Sequence, residues 1–311
     1  MKNTLIILIG STGFLGKNIK EEFSNKILCP TKKQMDLKKY RSVFQFLKKY
    51  KKYETLKIIN CACHVGNINY GSKFPADIIY DNAIMSLNLY RACSKLKNKI
   101  SIINPFANCS YPKNTSIQKE AAWLNGIPHN SVIAYGSYKR FLYSISESFY
   151  KQYNIKSINW MFGGGYGPGA SSNVEKEHAL NGMILRMIKA KKNGDKEFVV
   201  WGSGKPIREW VYIRDMAKIL KKSVNMNNQI YPVNFGQKKG YSISYTSRVI
   251  QKVIKFKGKL IYDRSKPDGD MKKILDNNKF KKLFSKFRFT HLNNGISETV
   301  KFYEKELNKK N

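Results

Sequence analysis

The stretch "LIILIGSTGFLG", residues 5–16, decides the fold. Its first half, residues 5–9, is a continuous apolar run, as expected of a parallel strand that is buried on both faces. Gly10, Gly13 and Gly16 follow, and the residues after them keep helical spacing to about Phe23. A strand, a glycine-rich turn and a helix in this order predict a turn whose backbone amides bind a phosphate.

Each glycine of this turn has a physical purpose. Gly10 permits the tight turn, Gly13 lets the backbone approach a pyrophosphate, and Gly16 lets the helix pack closely on the strand. We therefore predict a dinucleotide site here. Its cofactor-binding residues in the turn are predicted to be Gly10, Thr12, Gly13, Phe14, Leu15 and Gly16.

The rest of the chain alternates between strand-like and helix-like segments. Apolar runs occur at residues 26–29, 56–62, 100–104 and 157–162, and helical spacing occurs at residues 43–50, 79–96 and 138–153. This alternation predicts an α/β fold, a doubly wound parallel Rossmann sheet.

The character of the sequence changes at the glycine-rich segment "GGGYGPGASS". A helix is predicted after it, at residues 179–190, followed by shorter strand and turn signals. We expect a dinucleotide-binding domain at residues 1–165, to which a strand near 230–235 returns. Residues 166–311 are expected to form a smaller C-terminal α/β substrate-binding domain.

The composition narrows the class of partner. The 57 Lys and Arg against 21 Asp and Glu give a formal net charge of +36, which would attract an anionic ligand. The lysines are scattered over positions that resemble solvated helix faces and turns, so we expect no nucleic-acid partner. A basic nucleic-acid binder is the rival class, and it would require the lysines to form one stripe.

The cysteines indicate the compartment. The five of them, Cys29, Cys61, Cys63, Cys93 and Cys109, are odd in number and lack paired metal-ligand spacing. This usage is typical of free thiols in a reducing cytoplasm and predicts no metal site. The N-terminal apolar run is too short for a bilayer span, so we expect no membrane partner.

The segment after the second apolar run, "CPTKKQMDL" at residues 29–37, bears on the cofactor. An acidic side chain at the strand end would bind the ribose 2′-hydroxyl of NAD, but Lys32 and Lys33 stand there instead. Lysine attracts a 2′-phosphate, so NADP(H) is favoured. Lys32, Asp36 and Leu37 are predicted to contact the cofactor.

Tyr135 and Lys139, in "AYGSYKRF", lie four residues apart at the start of a predicted helix and hence on one face. An ammonium beside a phenol stabilises the phenolate, which would lower the tyrosine pKa toward working pH. Such a phenol can give its proton to a carbonyl oxygen while a hydride arrives at the carbon. We predict this pair to be catalytic.

These motifs together resemble the extended short-chain dehydrogenase/reductases. Further segments are similar to GDP-L-fucose synthase and its close relatives, and the likeness runs from about residue 5 to about residue 305. They are "HVGNINYGSKFPADIIYDNAIMSLNLYRAC", "NCSYPKN", "VVWGSGKPIREWVYIRDMA" and "SKPDGDMKKILD". The resemblance implies an NADP-dependent homodimer that epimerises C3 and C5 of a GDP-4-keto-6-deoxy-sugar and reduces its C4 ketone, for surface polysaccharide synthesis.

The same resemblance implies the residue roles. Tyr135 would give the proton to O4, and Lys139 would orient the nicotinamide ribose. Cys109 and His178 would be the acid/base pair of epimerisation. The substrate-binding positions would be Ala107, Asn108, Trp201, Arg208 and Lys273.

The sequence departs from the family pattern in three places. Ala107 stands where the family has a Ser or Thr that binds the substrate carbonyl, and losing one such donor costs about a hundredfold to a thousandfold in rate. Gly163 and Gly164 remove side chains near the expected sugar, which predicts a roomier pocket. Thr12 stands where some members carry an arginine toward the 2′-phosphate, which argues against NADP.

These departures leave two alternatives open. One is a reductase that acts only at C4 of a GDP-deoxyheptose in a capsule pathway. The other is an epimerase or a binding protein in which Ala107 impairs reduction.

Overall fold

We analysed a computed structural model of the chain, which describes residues 3–24, 26–170, 179–266 and 268–309. Its strands are β1 Thr4–Ile9, β2 Thr55–Asn60, β3 Lys99–Ala107, β4 Ile117–Gln118, β5 Lys156–Phe162, β6 Gly164–Tyr166, β7 Glu197–Trp201, β8 Ile207–Arg208, β9 Trp210–Tyr212, β10 Gln229–Phe235, β11 Tyr241–Ser242, β12 Lys259–Asp263 and β13 Lys272–Leu275. Its α-helices are α1 Phe14–Glu22, α2 Tyr40–Lys48, α3 Ile68–Lys73, α4 Pro75–Cys93, α5 Ile133–Tyr153, α6 Ala179–Asn193, α7 Ile213–Ser223, α8 Ile243–Ile254, α9 Asn278–Leu283 and α10 Leu292–Asn308.

The centre of the molecule is a five-stranded sheet in the order β1-β2-β3-β5-β10, with every strand parallel to its neighbours. One apolar core lies between the sheet and helices α2, α4 and α5, and a second lies between the sheet and helices α1 and α7. Because apolar layers cover both faces, the strands are continuous apolar runs. The predicted doubly wound α/β sheet is confirmed.

The apolar run at residues 26–29 does not become a full strand. It forms one parallel bridge, Ile7 with Leu28, in which the Leu8 amide donates to the Leu28 carbonyl at 2.8 Å. The run contains four residues and ends at Pro30, which has no amide proton for a ladder. The segment nevertheless extends the sheet beyond β1 at that point.

The C-terminal part of the chain forms its own apolar core. Side chains of α6, α8 and α10 meet there, together with the inner face of the two-stranded parallel sheet β7/β12. Short strands connect this part to the large sheet, because β9 pairs with β6, and β6 directly follows β5. These short strands therefore join the carboxyl edge of the large sheet to the C-terminal part of the chain.

An asparagine ladder crosses the middle of the large sheet. Asn60 donates to the Oδ1 of Asn104 at 3.5 Å, and Asn104 donates to the Oδ1 of Asn159 at 2.9 Å. Asn104 also donates to the Tyr90 hydroxyl at 3.0 Å, and Asn159 donates to the Ile230 carbonyl at 2.6 Å. Three adjacent strands thus share buried polar side chains at one level of the sheet.

Helices α4 and α5 pack together and carry large apolar side chains on their outer surface. These exposed side chains are Ile79, Tyr80, Leu87, Ile133, Phe141 and Tyr150. Within the described residues, no helix is long and apolar enough to cross a bilayer. Both α4 and α5 thus carry exposed apolar side chains on the single chain.

Glu209 is a buried carboxylate that ties three segments together. Its Oε1 accepts from the backbone amides of Gln237 and Lys238, the latter at 2.8 Å, and its Oε2 accepts from the Leu275 amide at 2.8 Å. Burial raises the pKa of Glu209 to about 7, although these amides favour the charged form. A Cβ on Gly236 would lie 2.7 Å from the carboxylate, so a glycine is needed beside it.

We predict that Glu209→Gln will lower the free energy of unfolding by about 1–3 kcal/mol, because the amide nitrogen of glutamine would face backbone amides that need an acceptor. Urea unfolding monitored by circular dichroism measures the change. Glu54→Gln is the control: that carboxylate is 57% exposed in a surface pair with Lys99, so its loss should leave the free energy of unfolding almost unchanged. Equal losses in the two variants would contradict the assigned role.

Candidate active site

The glycine turn has the backbone geometry that a phosphate site requires. Gly10 has a φ of +76°, and a Cβ there would lie 2.7 Å from the Ala62 amide nitrogen. A Cβ on Gly16 would lie 2.1 Å from the Gly10 carbonyl oxygen, so only glycine lets α1 approach β1 this closely. Helix α1 begins after Gly13 and has no acidic residue in its first turn. Its N-terminal amides and dipole therefore suit an anion.

The other predicted turn residues surround those amides. Thr12 is exposed, and Phe14 and Leu15 are half-buried against the apolar core of the α1 face. The short polar side chain of Thr12 thus leaves the mouth of the turn open.

The loop expected to hold the adenosine ribose lies beside the turn, because residue 28 pairs with β1. Lys32 is exposed in it. The Asp36 carboxylate accepts from the Lys38 amide at 3.1 Å, and the Leu37 carbonyl accepts from the Asn88 side chain at 2.8 Å. These bonds fix the loop, in which Lys32 and Lys33 are both exposed.

A polar network that the sequence analysis did not foresee joins this loop to α3 and α4. The His64 ring contacts the Asp81 carboxylate through Nδ1 and the Tyr70 hydroxyl through Nε2, each at 2.8 Å. Lys38 also reaches Asp81 at 2.6 Å, and its hydrogen bond holds the pKa of that carboxyl below its ordinary value. The network rigidifies the segment after β2.

Tyr135 and Lys139 lie together at the start of α5, as predicted. The Lys139 ammonium is 5.2 Å from the centre of the Tyr135 ring, and it donates to the Pro105 carbonyl at 2.8 Å. The expectation of a lowered tyrosine pKa is wrong for this structure. Burial raises the pKa of Tyr135 well above 10, and the thiols of Cys63 and Cys109 raise it further. The phenol is therefore held in its protonated form.

Cys109 lies in the short 3₁₀ turn, Asn108–Ser110, that follows β3. Burial raises the pKa of its thiol to about 11, while the positive charges of Lys273 and Lys139 lower it. Nearby cations stabilise the thiolate form of a buried cysteine and so lower the pKa of its thiol. The thiol is thus flanked by one cation from α5 and one from β13.

Ala107 is the last residue of β3 and is half-buried. Its methyl group cannot make the hydrogen bond that a Ser or Thr hydroxyl would make at this position. Asn108, the next residue, is bonded within the protein. Its side chain donates to Gln118 at 3.2 Å, and Gln118 donates back to the Asn108 carbonyl at 3.3 Å. The amide of Asn108 therefore fastens the 3₁₀ turn to β4.

Arg208 and Lys273 face each other as direct partners of the parallel strands β8 and β13. Burial lowers the pKa of Arg208, whose guanidinium donates to the Asp268 carbonyl at 3.1 Å. Lys273 pairs with Asp270 at 2.5 Å. Two adjacent cations with fixed partners make a surface that suits a diphosphate.

Trp201, at the end of β7, is 57% exposed and has the guanidinium of Arg186 4.5 Å from its ring. The next loop is joined to the cation pair, because the Asp268 carboxylate accepts from the backbone and side chain of Ser203 at 2.7 and 2.6 Å. An exposed indole with a guanidinium over its ring offers a stacking surface for a base.

Gly163 and Gly164 do not open the pocket in the way expected. A Cβ on Gly163 would contact Val211 at 3.4 Å, and one on Gly164 would press on the Trp210 ring at 3.1 Å. The missing side chains make room for β9, which pairs with β6. The roomier sugar pocket is therefore not supported by these two positions.

The structure brings most of the predicted site residues to one edge of the sheet. His178 lies outside the described residues. In the described ranges, no group of three or more His, Cys, Asp and Glu side chains could hold a metal ion.

Cys63 is the residue that the sequence analysis missed. Its sulfur lies 3.6 Å from the Tyr135 hydroxyl and 3.1 Å from Asn82 Oδ1. Its one available signal was its position three residues after Asn60, where β2 ends at the same sheet edge as β1.

Comparison with known proteins identifies the family. The sequence profile of the NAD dependent epimerase/dehydratase family matches residues 6–234. GDP-L-colitose synthase of Yersinia pseudotuberculosis is 30% identical over 319 residues, which cover 98% of this chain and 99% of the relative. GDP-L-fucose synthase of Dictyostelium discoideum is 27% identical over 307 residues, with 96% and 94% covered. The chain belongs to the NAD-dependent epimerase/dehydratase family.

A solved structure agrees with the fold. The GDP-L-fucose synthetase of Naegleria fowleri bound to NADP superposes with a TM-score of 0.88 at 26% identity. The match covers 99% of this chain and 95% of that one.

We predict that alkylation of Cys109 by iodoacetamide will accelerate about tenfold per pH unit above neutrality, because its pKa of about 11 keeps the thiol protonated. Lys273→Met should slow the reaction roughly two- to tenfold, since it removes a charge that lowers this pKa. Peptide mass mapping measures the rate at each pH. Lys259→Met, an exposed lysine on β12, is the control, and faster alkylation in Lys273→Met would contradict the interpretation.

Proposed function

We propose that this chain is an NADP-dependent reductase for the C4 ketone of a GDP-bound 4-keto-6-deoxy-sugar, and that it also epimerises C3 and C5 of that sugar. The observation that carries the proposal is the convergence of a protonated phenol, Tyr135, with a thiol, Cys109, and a pair of cations, Arg208 and Lys273. A phenol is a proton donor, and two fixed cations bind a diphosphate. The relatives named for GDP-L-fucose and GDP-L-colitose support the choice of nucleotide.

The cofactor is proposed to lie with its pyrophosphate on the amides of the glycine turn. The absence of Cβ atoms at Gly10 and Gly16 lets that backbone approach it. Lys32 is proposed to bind the 2′-phosphate. NADPH bound in this way supplies the hydride for the ketone carbon.

The chain supplies the proton. Tyr135 donates its hydroxyl proton to O4, so its O–H bond breaks as the O4–H bond forms. The phenolate left behind is stabilised by Lys139, whose ammonium lies 5.2 Å from the ring centre. The Pro105 carbonyl holds this ammonium in place.

A second candidate function is reduction without epimerisation, and the burial of Cys109 favours it. Removing a proton beside the ketone needs the thiolate, and a pKa of about 11 leaves only about one thiol in ten thousand ionised at pH 7. His178 is proposed from the family resemblance as the opposing acid/base group. Epimerisation at C3 and C5 is therefore the slower part of the proposed activity.

Four broader features complete the proposal. We place the enzyme in the cytoplasm because its five cysteines are free thiols, and we assign its product to surface polysaccharide synthesis. We divide the chain into a cofactor part, residues 1–165 with the returning strand near 230–235, and a substrate part, residues 166–311. We also propose a homodimer, since two copies could cover the apolar faces of α4 and α5.

We predict that Tyr135→Phe will abolish NADPH oxidation with GDP-4-keto-6-deoxymannose, because the ring stays while the donated proton is lost. Cofactor binding, measured by NADPH fluorescence, should be unchanged. Undiminished turnover would refute the role of Tyr135. Wild-type reactions in deuterated water, followed by NMR, separate the two candidates: a new C4 carbinol reports reduction, and deuterium at C3 or C5 reports epimerisation.

We predict that Phe141→Glu will convert the dimer to a monomer, because a carboxylate would be buried in the proposed α4/α5 interface. Light scattering after gel filtration measures the mass. Ile261→Glu, at an exposed position of β12 that is 40% accessible, should leave the mass unchanged. A wild-type monomer at micromolar concentration would refute the proposed homodimer.

A further inference from the structure

The reactive hydroxyl of the site has a neighbour outside the residues used so far. Cys63 lies in the loop after β2, with its sulfur 3.6 Å from the Tyr135 hydroxyl and 3.1 Å from Asn82 Oδ1. A thiol carries one proton, so it can donate to only one of these two oxygens. Which oxygen receives that proton decides what Cys63 does for Tyr135.

The bonds of Asn82 settle the direction. Its amide nitrogen donates to the carbonyls of His64 and Ile78, both at 2.7 Å. Its Oδ1 therefore faces the other way, where it accepts from the His64 amide at 2.8 Å. Because Oδ1 has no proton, the S–H of Cys63 must donate to it. The sulfur is then left as an acceptor, and the Tyr135 hydroxyl donates to it.

We propose that Cys63 is a positioning residue for Tyr135, whose sulfur accepts the phenol proton and holds the hydroxyl in place where position 107 offers only a methyl group. The inference rests on the proposed function. Asn82 is the anchor, because its four hydrogen bonds fix the thiol from the side opposite Tyr135. The substrate ketone would take over the phenol proton as it binds.

The other groups around Tyr135 do not supply this contact. From its own helix, Lys139 donates to Pro105, and the Tyr138 hydroxyl pairs with Ser86 at 2.9 Å. From the turn after β3, Cys109 raises the pKa of Tyr135 only when its own thiol is ionised. In the part of the chain that the structure describes, Cys63 is the side chain within hydrogen-bonding distance of the phenol.

The first test is the pH dependence of kcat/KM for ketone reduction in Cys63→Ala and Cys63→Ser. Loss of the acceptor destabilises the neutral phenol, so the basic limb of the profile should move down by about half a unit to one unit in Cys63→Ala. Serine accepts the same proton and donates to Asn82, so Cys63→Ser should return the limb toward the wild-type position. A simple loss of packing would lower the rate without moving the limb.

The matched control is Cys93→Ala, which removes a buried thiol at the far end of α4. Its limb should stay at the wild-type pH. An unmoved limb in Cys63→Ala, or an equal shift in Cys93→Ala, would overturn the inference.

The second test needs no substrate. The S–H stretching band of Cys63 can be identified in the infrared spectrum by its absence in Cys63→Ala. Tyr135→Phe removes the hydroxyl and keeps the ring, so the band should move to higher frequency as the thiol loses the polarising bond. An unmoved band would overturn the inference. A moved band without turnover of any GDP-4-keto-sugar would support the contact and refute the proposed function.

Discussion

Five parallel strands form the central sheet, and their common direction places the carboxyl ends of all five along one edge. The glycine turn follows β1, the Cys63 loop follows β2, and the Cys109 turn follows β3. Antiparallel pairing would send alternate ends to the opposite edge, so the three segments could not meet. Parallel strands need crossover connections, which here are largely α-helical. These helices cover both faces of the sheet and bury it. The position of the candidate site thus follows from the parallel arrangement of the central strands.

The close approach of α1 to β1 is the second condition on which the site depends. The missing Cβ of Gly16 leaves space for the Gly10 carbonyl, and the helix N-terminus is thereby brought to the sheet edge. At the same edge the cations Lys139 and Lys273 flank a buried thiol. The N-terminus of α1, Lys139 and Lys273 are therefore three positive groups at the edge where we propose that the phosphate-bearing ligands bind. Their attraction falls with distance, so the fold must place them within a few ångströms.

Much of this could be predicted from the sequence, because the signals were local. A continuous apolar run before spaced glycines specifies a strand, a turn and a helix, and the pairing of Tyr135 with Lys139 follows from helix periodicity. Other features depend on contacts between distant segments. The four residues at 26–29 resemble a strand but form one bridge, and burial raises the pKa of Tyr135 although Lys139 lies near. The contact of Cys63 joins residues 72 positions apart, which no local pattern reports.

The asparagine ladder has a consequence for how the strands find their partners. Asn104 and Asn159 are direct partners in the register of β3 and β5. A slip by one residue would turn these amides to the opposite face and leave them without partners in an apolar layer, at a cost of several kcal/mol (about 1–3 for each unpaired group). An all-apolar sheet would tolerate such slips more easily. The ladder therefore favours a single strand register, in which the ends of β2, β3 and β5 are level.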